Sequence, residues 1–267
     1  MVLWLIIRMP DKIRVSCIIS TYGDADLVEK KICEILRQTI FDQVEFLFVE
    51  TGSPERERDL IAPYAEKYSN IRLVTTDERR TLYEAWNLGW EAARAEVLCY
   101  SNMDDALHPE CLERVAETME ARPEVDMCSV MIAYQNESSP GVADSFDLER
   151  LRKLKIGRRA GPFSAWRKNL SQTMGMFDGH YRIIGDMDFW SRAADAQLNA
   201  VLIRKVLYLY TTAPSQLSKR ESKKPERTYA AEKGVRLRWH PKLARATLFH
   251  RKIFRMFPTP YLVLEKK

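Results

Sequence analysis

The sequence predicts an α/β fold, with a mostly parallel, Rossmann-like sheet carrying helices on both faces and a basic C-terminal extension after it. Two observations predict it. Short apolar runs rich in β-branched residues alternate with stretches whose apolar residues recur at helical spacing, and short turns join them. One run, Val97 to Tyr100, is apolar throughout, as a strand buried on both faces must be, and breaks off into Asn102-Met103-Asp104-Asp105. In open sheets of this kind ligands bind beyond the carboxyl ends of the strands.

The elements follow in order. Arg14 to Ser20 is the first strand and Thr21-Tyr22-Gly23-Asp24 the turn after it. A helix then runs to about Gln38, with Val28, Ile32, Ile35 and Leu36 on one face and Asp26 with Glu29 as a capping pair. Val44 to Val49 is the second strand, ending at Glu50-Thr51-Gly52-Ser53. Ser53-Pro54 reads as the cap and first-turn proline of a helix with Leu60, Ile61, Tyr64 and Tyr68 inward, which Pro63 should kink or shorten. Ile71 to Thr75 is the third strand. Thr81 to Ala93 is a helix whose Trp86 and Trp90 face the core, and Val97 to Tyr100 is the fourth strand. Pro109 to Met119 is a helix and Asp126 to Tyr134 the fifth strand. Gln135 to Pro162 breaks the pattern with Pro140-Gly141 and a basic run from Arg150 to Arg159; it reads as a flexible loop, either binding or merely solvated. Gly185-Asp186 opens a helix, Met187 to Gln197, and Val201 to Tyr210 is a last strand or strand pair.

At 267 residues, 46% hydrophobic and 30% charged, the chain can bury a full core. No apolar run approaches the roughly 18 residues that cross a bilayer, and Val2 to Ile7 is short and lacks a cleavage site. Cys17, Cys33, Cys99, Cys111 and Cys128 have no close pairing; they read as reduced core residues and imply a cytoplasmic location. Charge is unevenly spread. From Val201 onward 17 basic residues face 4 acidic ones, net +13, while the first 200 residues hold 25 basic and 33 acidic, net −8. Such a tail suits an anionic surface. No zinc or RNA-binding motif accompanies it, so no nucleic acid is expected. Between Leu243 and Leu264, Leu248, Phe249, Ile253 and Met256 fall near helical spacing among Arg245, Arg251, Lys252 and Arg255. That pattern either lies on the inner face of an anionic membrane or packs back on the domain.

Asp104 and Asp105 offer hard oxygen ligands that suit Mg2+ or Mn2+ holding a diphosphate; the alternative is a solvated loop with Asp105 capping the next helix. Four stretches, in order across roughly Ile13 to Pro214, then carry a resemblance. VSCIISTYGDADLVEKKICEILRQT resembles the opening strand, turn and Gln-Thr-ending helix of the family 2 glycosyltransferases of the GT-A fold. FLFVETGSPE is similar to that family's strand ending in Asp-Asp-Gly-Ser. AWNLGWEAARAEVLCYSNMDDALHPECLE is similar to its Asn-containing helix leading into Asp-x-Asp-Asp. MGMFDGHYRIIGDMDFWSRAA is similar to its acceptor-side segment with a Glu-Asp pair, a Trp and an Arg.

The resemblance implies a GT-A nucleotide-sugar-binding and catalytic domain over 1–214, with 215–267 a basic, partly helical extension. Thr21 and Tyr22 would line the nucleoside pocket, Glu50 would read the base, and Arg80 would lie toward the nucleotide. Asn102 would bond a ribose, Asp104 would carry Mn2+ or Mg2+ with Asp105 beside it, and Asp186 would be the catalytic base. Read by itself, Asp186 at a helix start is equally a cap. Trp166, Arg167 and Trp190 are candidates to hold an acceptor sugar, with core packing the alternative; Arg192 binds a phosphate or pairs with Asp188. The implied activity moves one sugar, with inversion, from a nucleotide-diphospho-sugar to a glycan or lipid-linked hydroxyl. The processive members' Gln-x-x-Arg-Trp motif is missing, since Val235 precedes Arg238-Trp239. Glu50, Asn102 and Gly185 depart from the family pattern, and they leave open a catalytically inactive nucleotide-sugar or glycan-binding protein.

Overall fold

The computed structural model describes residues 12–136, 146, 154–157, 162–212 and 216–237. Among the described residues nine strands form one sheet: β1 (Val15–Thr21), β2 (Val44–Thr51), β3 (Ile71–Thr76), β4 (Val97–Tyr100), β5 (Ala106–Leu107), β6 (Met127–Asn136), β7 (Lys155–Gly157), β8 (Ala165–Arg167) and β9 (Ala200–Thr212). The order is β3-β2-β1-β4-β8-β6-β9-β5, with β7 beside β6. The β3-β2-β1-β4 half is parallel, and so is the long β6-β9 pair; β8 joins the halves by running antiparallel to both β4 and β6.

Helices α1 (Ala25–Ile35), α2 (Glu57–Lys67), α3 (Leu82–Ala92) and α4 (Cys111–Ala121) follow the first strands, and α5 (Leu170–Met174) and α6 (Gly185–Asp195) precede β9. Strands β1, β2 and β4 are buried nearly end to end, because successive side chains enter two different cores. Cys17, Ile19, Phe46 and Phe48 meet α1, α2 and α4 through Val28, Ile32, Ile61 and Leu112. Ile18, Leu47, Val49 and Leu98 meet α3 and α6 through Trp86, Trp90 and Phe189. Trp86 stacks on Tyr100 at 3.9 Å, as a core residue.

Local chemistry sets the helix starts. Thr81 and Glu84 form a reciprocal capping box at α3. Two expected starts are corrected. Asp24, not Asp26, stands at the N-cap of α1, and its side chain makes no cap bond. Helix α2 begins at Glu57 rather than at Pro54, after Arg56 in the left-handed region (φ 53°). Ser53 is drawn elsewhere: its Oγ accepts from Gly23 N at 3.1 Å and Glu55 N at 3.3 Å, tying the turns after β1 and β2 together. The helix runs through Pro63 to Lys67.

Within 135–162 the described residues include the end of β6 and the strand β7, which carries Lys155 of the basic run; the other basic residues of that run lie outside the described residues, as does the amphipathic tract 243–264. Of the extension, α7 (Leu217–Arg220) and α8 (Lys224–Glu232) are described. Ala230, Tyr229, Val235 and Leu237 pack on the α3–α6 core. The five cysteines are free and four are buried. Among the described residues no helix is long and apolar enough to cross a membrane.

Candidate active site

Strands β1, β2 and β4 end on one cavity of about 750 Å³. Ser20, Thr21, Tyr22 and Asp24 line it from the end of β1 and its turn, and Thr51 from β2. Arg79, Arg80 and the start of α3 line it from beyond β3, Asn102, Met103 and Asp104 from beyond β4, and Arg182 closes the set. The sheet supplies this arrangement directly: parallel strands of similar register all release their turns on one edge.

Thr21 is 3% exposed, and its Oγ1 is buried with no hydrogen-bond partner among the described residues. A buried hydroxyl left unpaired beside a cavity is costly unless something in the cavity bonds it. Tyr22 stands at the rim, 37% exposed, with the Arg79 guanidinium 4.2 Å from its ring centroid. Arg80 reaches the cavity and pairs with Glu78 at 2.7 Å. Asp24 faces Asp104 closely enough to feel its charge; burial, mainly, pushes the Asp24 carboxyl up to about 6.

Glu50 does not line the cavity. It is buried, receives both the Nε and Nη2 of Arg58, and accepts Ser53 N at 2.8 Å. Its oxygens are spent holding the turn after β2, so the expectation that it reads a base is corrected. The longer arm of Glu reaches back to Arg58, and Thr51 meets the cavity instead.

Asp104 and Asp105 separate into different roles. Asp104 lines the cavity. Burial raises its pKa, and the Lys31 ammonium opposes that. Asp105 is 1% exposed and points into the protein. It accepts Tyr208 Oη at 2.6 Å, Thr211 N at 2.8 Å and Asn102 Nδ2 at 2.9 Å. Burial and the Asp104 charge push its carboxyl up to about 8 despite those bonds. A carboxyl so occupied is not free to hold a cation, which corrects the placement of Asp105 among the metal ligands. It fastens the Asn102–Asp104 turn to β9. Lys31, 1% exposed on α1, fastens the same turn from below: its Nζ donates to Asp105 O at 2.9 Å, Ser101 Oγ at 3.3 Å and Glu34 Oε1 at 3.0 Å.

Asp186 sits in the first turn of α6. Its Oδ1 accepts Met187 N at 2.8 Å and lies 3.5 Å from Tyr83 Oη on α3. Burial lifts its carboxyl to about 6, against Met187 N, the Lys223 charge and Tyr83. Gly185 is required beside it, because a Cβ there would come within 2.6 Å of the Tyr83 ring. Asp186 does not itself line the cavity, whereas Arg182 four residues earlier does. Tyr210, on β9, is half-buried; burial and the charges of Asp105, Asp104 and Asp186 together push it up to about 12.

The expected acceptor residues lie elsewhere. Trp166 is 0% exposed, packed against Trp90, Phe177 and Phe189, and Trp190 is 2% exposed. Arg167 turns to the C-terminal end of α4, bonding Met119 O and Val125 O at 2.8 Å. Aromatic area and carbonyl orphans there outweigh exposure, so the acceptor assignment of all three is corrected. Arg192 pairs with Asp188 at 2.7 Å. Lys31, Tyr83, Tyr210 and Glu226 were missed; of these only the Lys31–Glu34 spacing on a helix was a readable signal.

A divalent ion fits this site in one way. Among the described residues no three His, Cys, Asp or Glu side chains gather to cage a metal. Asp104, with Asp24 also lining the cavity, would supply the carboxylates to hold Mg2+ or Mn2+, which bind through one or two carboxylates beside substrate phosphates.

The sequence profile of Glycosyl transferase family 2 matches residues 16–189. Glycosyltransferase AglE of Haloferax volcanii is 24% identical over 208 residues, covering 75% of this chain and 67% of its own length. A PGL/p-HBAD biosynthesis glycosyltransferase of Mycobacterium bovis is 29% identical over 178 residues, covering 65% of this chain and 67% of its own. Among solved structures, S. aureus TarS 1-349 in complex with UDP-GlcNAc superposes with a TM-score of 0.64 at 17% identity, over 83% of this chain and 65% of that one. Mannosyltransferase PcManGT from Pyrobaculum calidifontis, in complex with GDP-Man and Mn2+, gives 0.57 at 19% identity, over 93% and 66%. The chain thus spans about two thirds of the length of these relatives, and the structures share its fold.

Proposed function

The chain belongs to Glycosyl transferase family 2, and on that premise we propose that it transfers one sugar, with inversion, from a nucleotide-diphospho-sugar to a hydroxyl of a glycan or lipid-linked acceptor. What supports the reading is the cavity at the carboxyl edge of the parallel strands, which gathers Thr21, Tyr22, Asn102 and Asp104, residues that the resemblance assigns to the donor.

The nucleoside enters between Tyr22 and the unpaired Thr21 hydroxyl, with Thr51 at the floor. Arg79, Arg80 and Arg182 bring positive charge to the rim, where the diphosphate of the donor would lie. Asn102, held by Asp105, keeps a neutral polar edge toward the ribose. Asp104 would hold Mn2+ or Mg2+, which when bound neutralises charge growing on the leaving diphosphate. Asp186 accepts the acceptor's proton as its oxygen attacks the anomeric carbon. A carboxyl lifted to about 6 is ionised at neutral pH yet more basic than a surface aspartate, as a general base needs. One base and one leaving group on opposite sides of the sugar give a single displacement with inversion. A chain of this charge pattern fits an acceptor at an anionic membrane surface, met by the basic extension.

The test is turnover by the full chain with Mn2+ of a panel of UDP-, GDP- and dTDP-sugars, starting with UDP-GlcNAc and GDP-Man. Nucleotide release that depends on Asp104 is expected. Binding of a donor without hydrolysis or transfer of any would make the chain a nucleotide-sugar-binding protein instead.

A further inference from the structure

Helix α6 starts without a polar cap of its own, because Ile184 occupies the N-cap position. The amides of Arg182, Ile183 and Ile184 would be left bare. One distant carboxylate takes all three. Glu226 Oε1 accepts Arg182 N at 2.7 Å and Ile183 N at 3.1 Å, and its Oε2 accepts Ile184 N at 3.0 Å. Glu226 is 9% exposed and belongs to α8, in the extension. Other bonds of α8 and its flanks converge on the same loop. Tyr229 Oη donates to Asp178 at 3.0 Å, Lys233 pairs with Asp178 at 2.8 Å, Glu221 pairs with Arg182 at 3.2 Å, and the His180 ring stacks on Tyr229 at 3.7 Å.

We propose that Glu226 is a positioning residue for Asp186: from the C-terminal extension it clamps the 182–184 amides, and so sets the orientation and the dryness of the helix start that carries the base. The proposal rests on Asp186 being that base. An anion bonded to three consecutive amides is a strong, directional hold, and no neutral side chain of the same shape reproduces it. Two residues past the clamp, Asp186 is fixed through Met187 N. Release of the loop would admit water to the start of α6, hydrate the Asp186 carboxylate and swing it away from the acceptor. The groups facing Asp186 are Tyr83 of α3, Tyr100 of β4, Tyr210 of β9 and Lys223 just before α8. The extension therefore contributes both the clamp and Lys223, whose charge acts on Asp186. It is built into the site rather than appended to it.

The experiment is a carboxyl-13C NMR titration of the full chain, with the Asp186 signal assigned by its loss in Asp186→Asn. Nucleotide release from UDP-GlcNAc and GDP-Man with Mn2+ is measured beside it. In Glu226→Gln the Asp186 titration is expected to drop by roughly half a unit or more toward an ordinary carboxylate. Turnover should fall roughly tenfold or more with the donor KM little changed, and Glu226→Asp should fall between. A cooperatively folding Glu226→Gln with the parent's Asp186 titration overturns the proposal. If Glu226→Gln does not fold, Glu226→Asp decides by the same criterion. Full turnover by Asp186→Asn would remove the base reading alone, since the titration compares the clamp without any substrate.

Discussion

The Tyr83 ring occupies the space that a side chain at position 185 would need, and its hydroxyl lies 3.5 Å from Asp186. Tyr83 and Gly185 are therefore a matched pair. The resemblance places a Glu before the catalytic Asp; here a tyrosine from α3 fills that volume, stacked 5.9 Å from Phe177.

Gly185→Glu should thus damage the protein rather than improve it. Overpacking against a ring in a filled core costs about 1–3 kcal/mol. Urea unfolding would read this, and Tyr83→Ala combined with Gly185→Glu should lose less than the two single changes added together.

Asp186→Asn is expected to keep donor affinity while turnover falls about 10²- to 10⁴-fold. In the parent, turnover should decline as pH drops through about 6, where burial has placed the Asp186 carboxyl. A profile flat from pH 5 to 8 would remove Asp186 from the proton transfer.

Asp104→Ala and Asp105→Ala should differ in kind. Asp104→Ala is expected to lose Mn2+-dependent donor binding with little change in melting. Asp105→Ala strips the acceptor from Tyr208 and Thr211 in the core, about 1–3 kcal/mol for each donor left unpaired. Calorimetry of Mn2+ and donor binding, with thermal melts alongside, separates the two.

Stability should also fall as pH rises. Asp105, lifted to about 8, and Asp186, lifted to about 6, both by burial, hold protons in the fold that the unfolded chain has released above about pH 4. The folded state then binds more protons, so each unit of pH between about 4 and those values costs stability. Glu110 acts oppositely: Lys205 brings it down to about 2, so its contribution is lost as pH falls through about 4 to 2. Melting of the metal-free chain should be higher at pH 5.5 than at pH 8.5, and Asp105→Asn should flatten that difference.

Lys31→Met is expected to cost about 3–5 kcal/mol, because it leaves Glu34 buried and unpaired; a double change with Glu34→Leu should recover much of it. Guanidinium unfolding of the parent, the single and the double variant measures the recovery.

Much of this protein is legible one residue at a time. An unbroken apolar run such as Val97 to Tyr100 has to be covered on both faces, and the helical spacing of Val28, Ile32 and Ile35 has to meet it. Strand, turn and helix therefore read out in order, and parallel strands deliver Thr21, Thr51 and Asp104 to one edge. The partition of Asp104 from Asp105 is not in the letters. Which of two adjacent carboxylates faces the cavity depends on Tyr208 and Thr211, more than a hundred residues away, arriving from β9. The same holds for Glu50, claimed by Arg58, and for Trp166, whose fate is set by Trp90, Phe177 and Phe189. Glu226 stands in a polar, basic stretch with no local pattern to mark it, and only packing brings it to the bare amides before Asp186. Periodicity is a local property, so the sequence alone determined the main strands and helices and the edge where the cavity lies, while the short strands β5, β7 and β8 came only with the sheet. Hydrogen-bond partners are chosen by proximity in space, so tertiary structure alone decided which acids face the cavity and which are bound inside the fold.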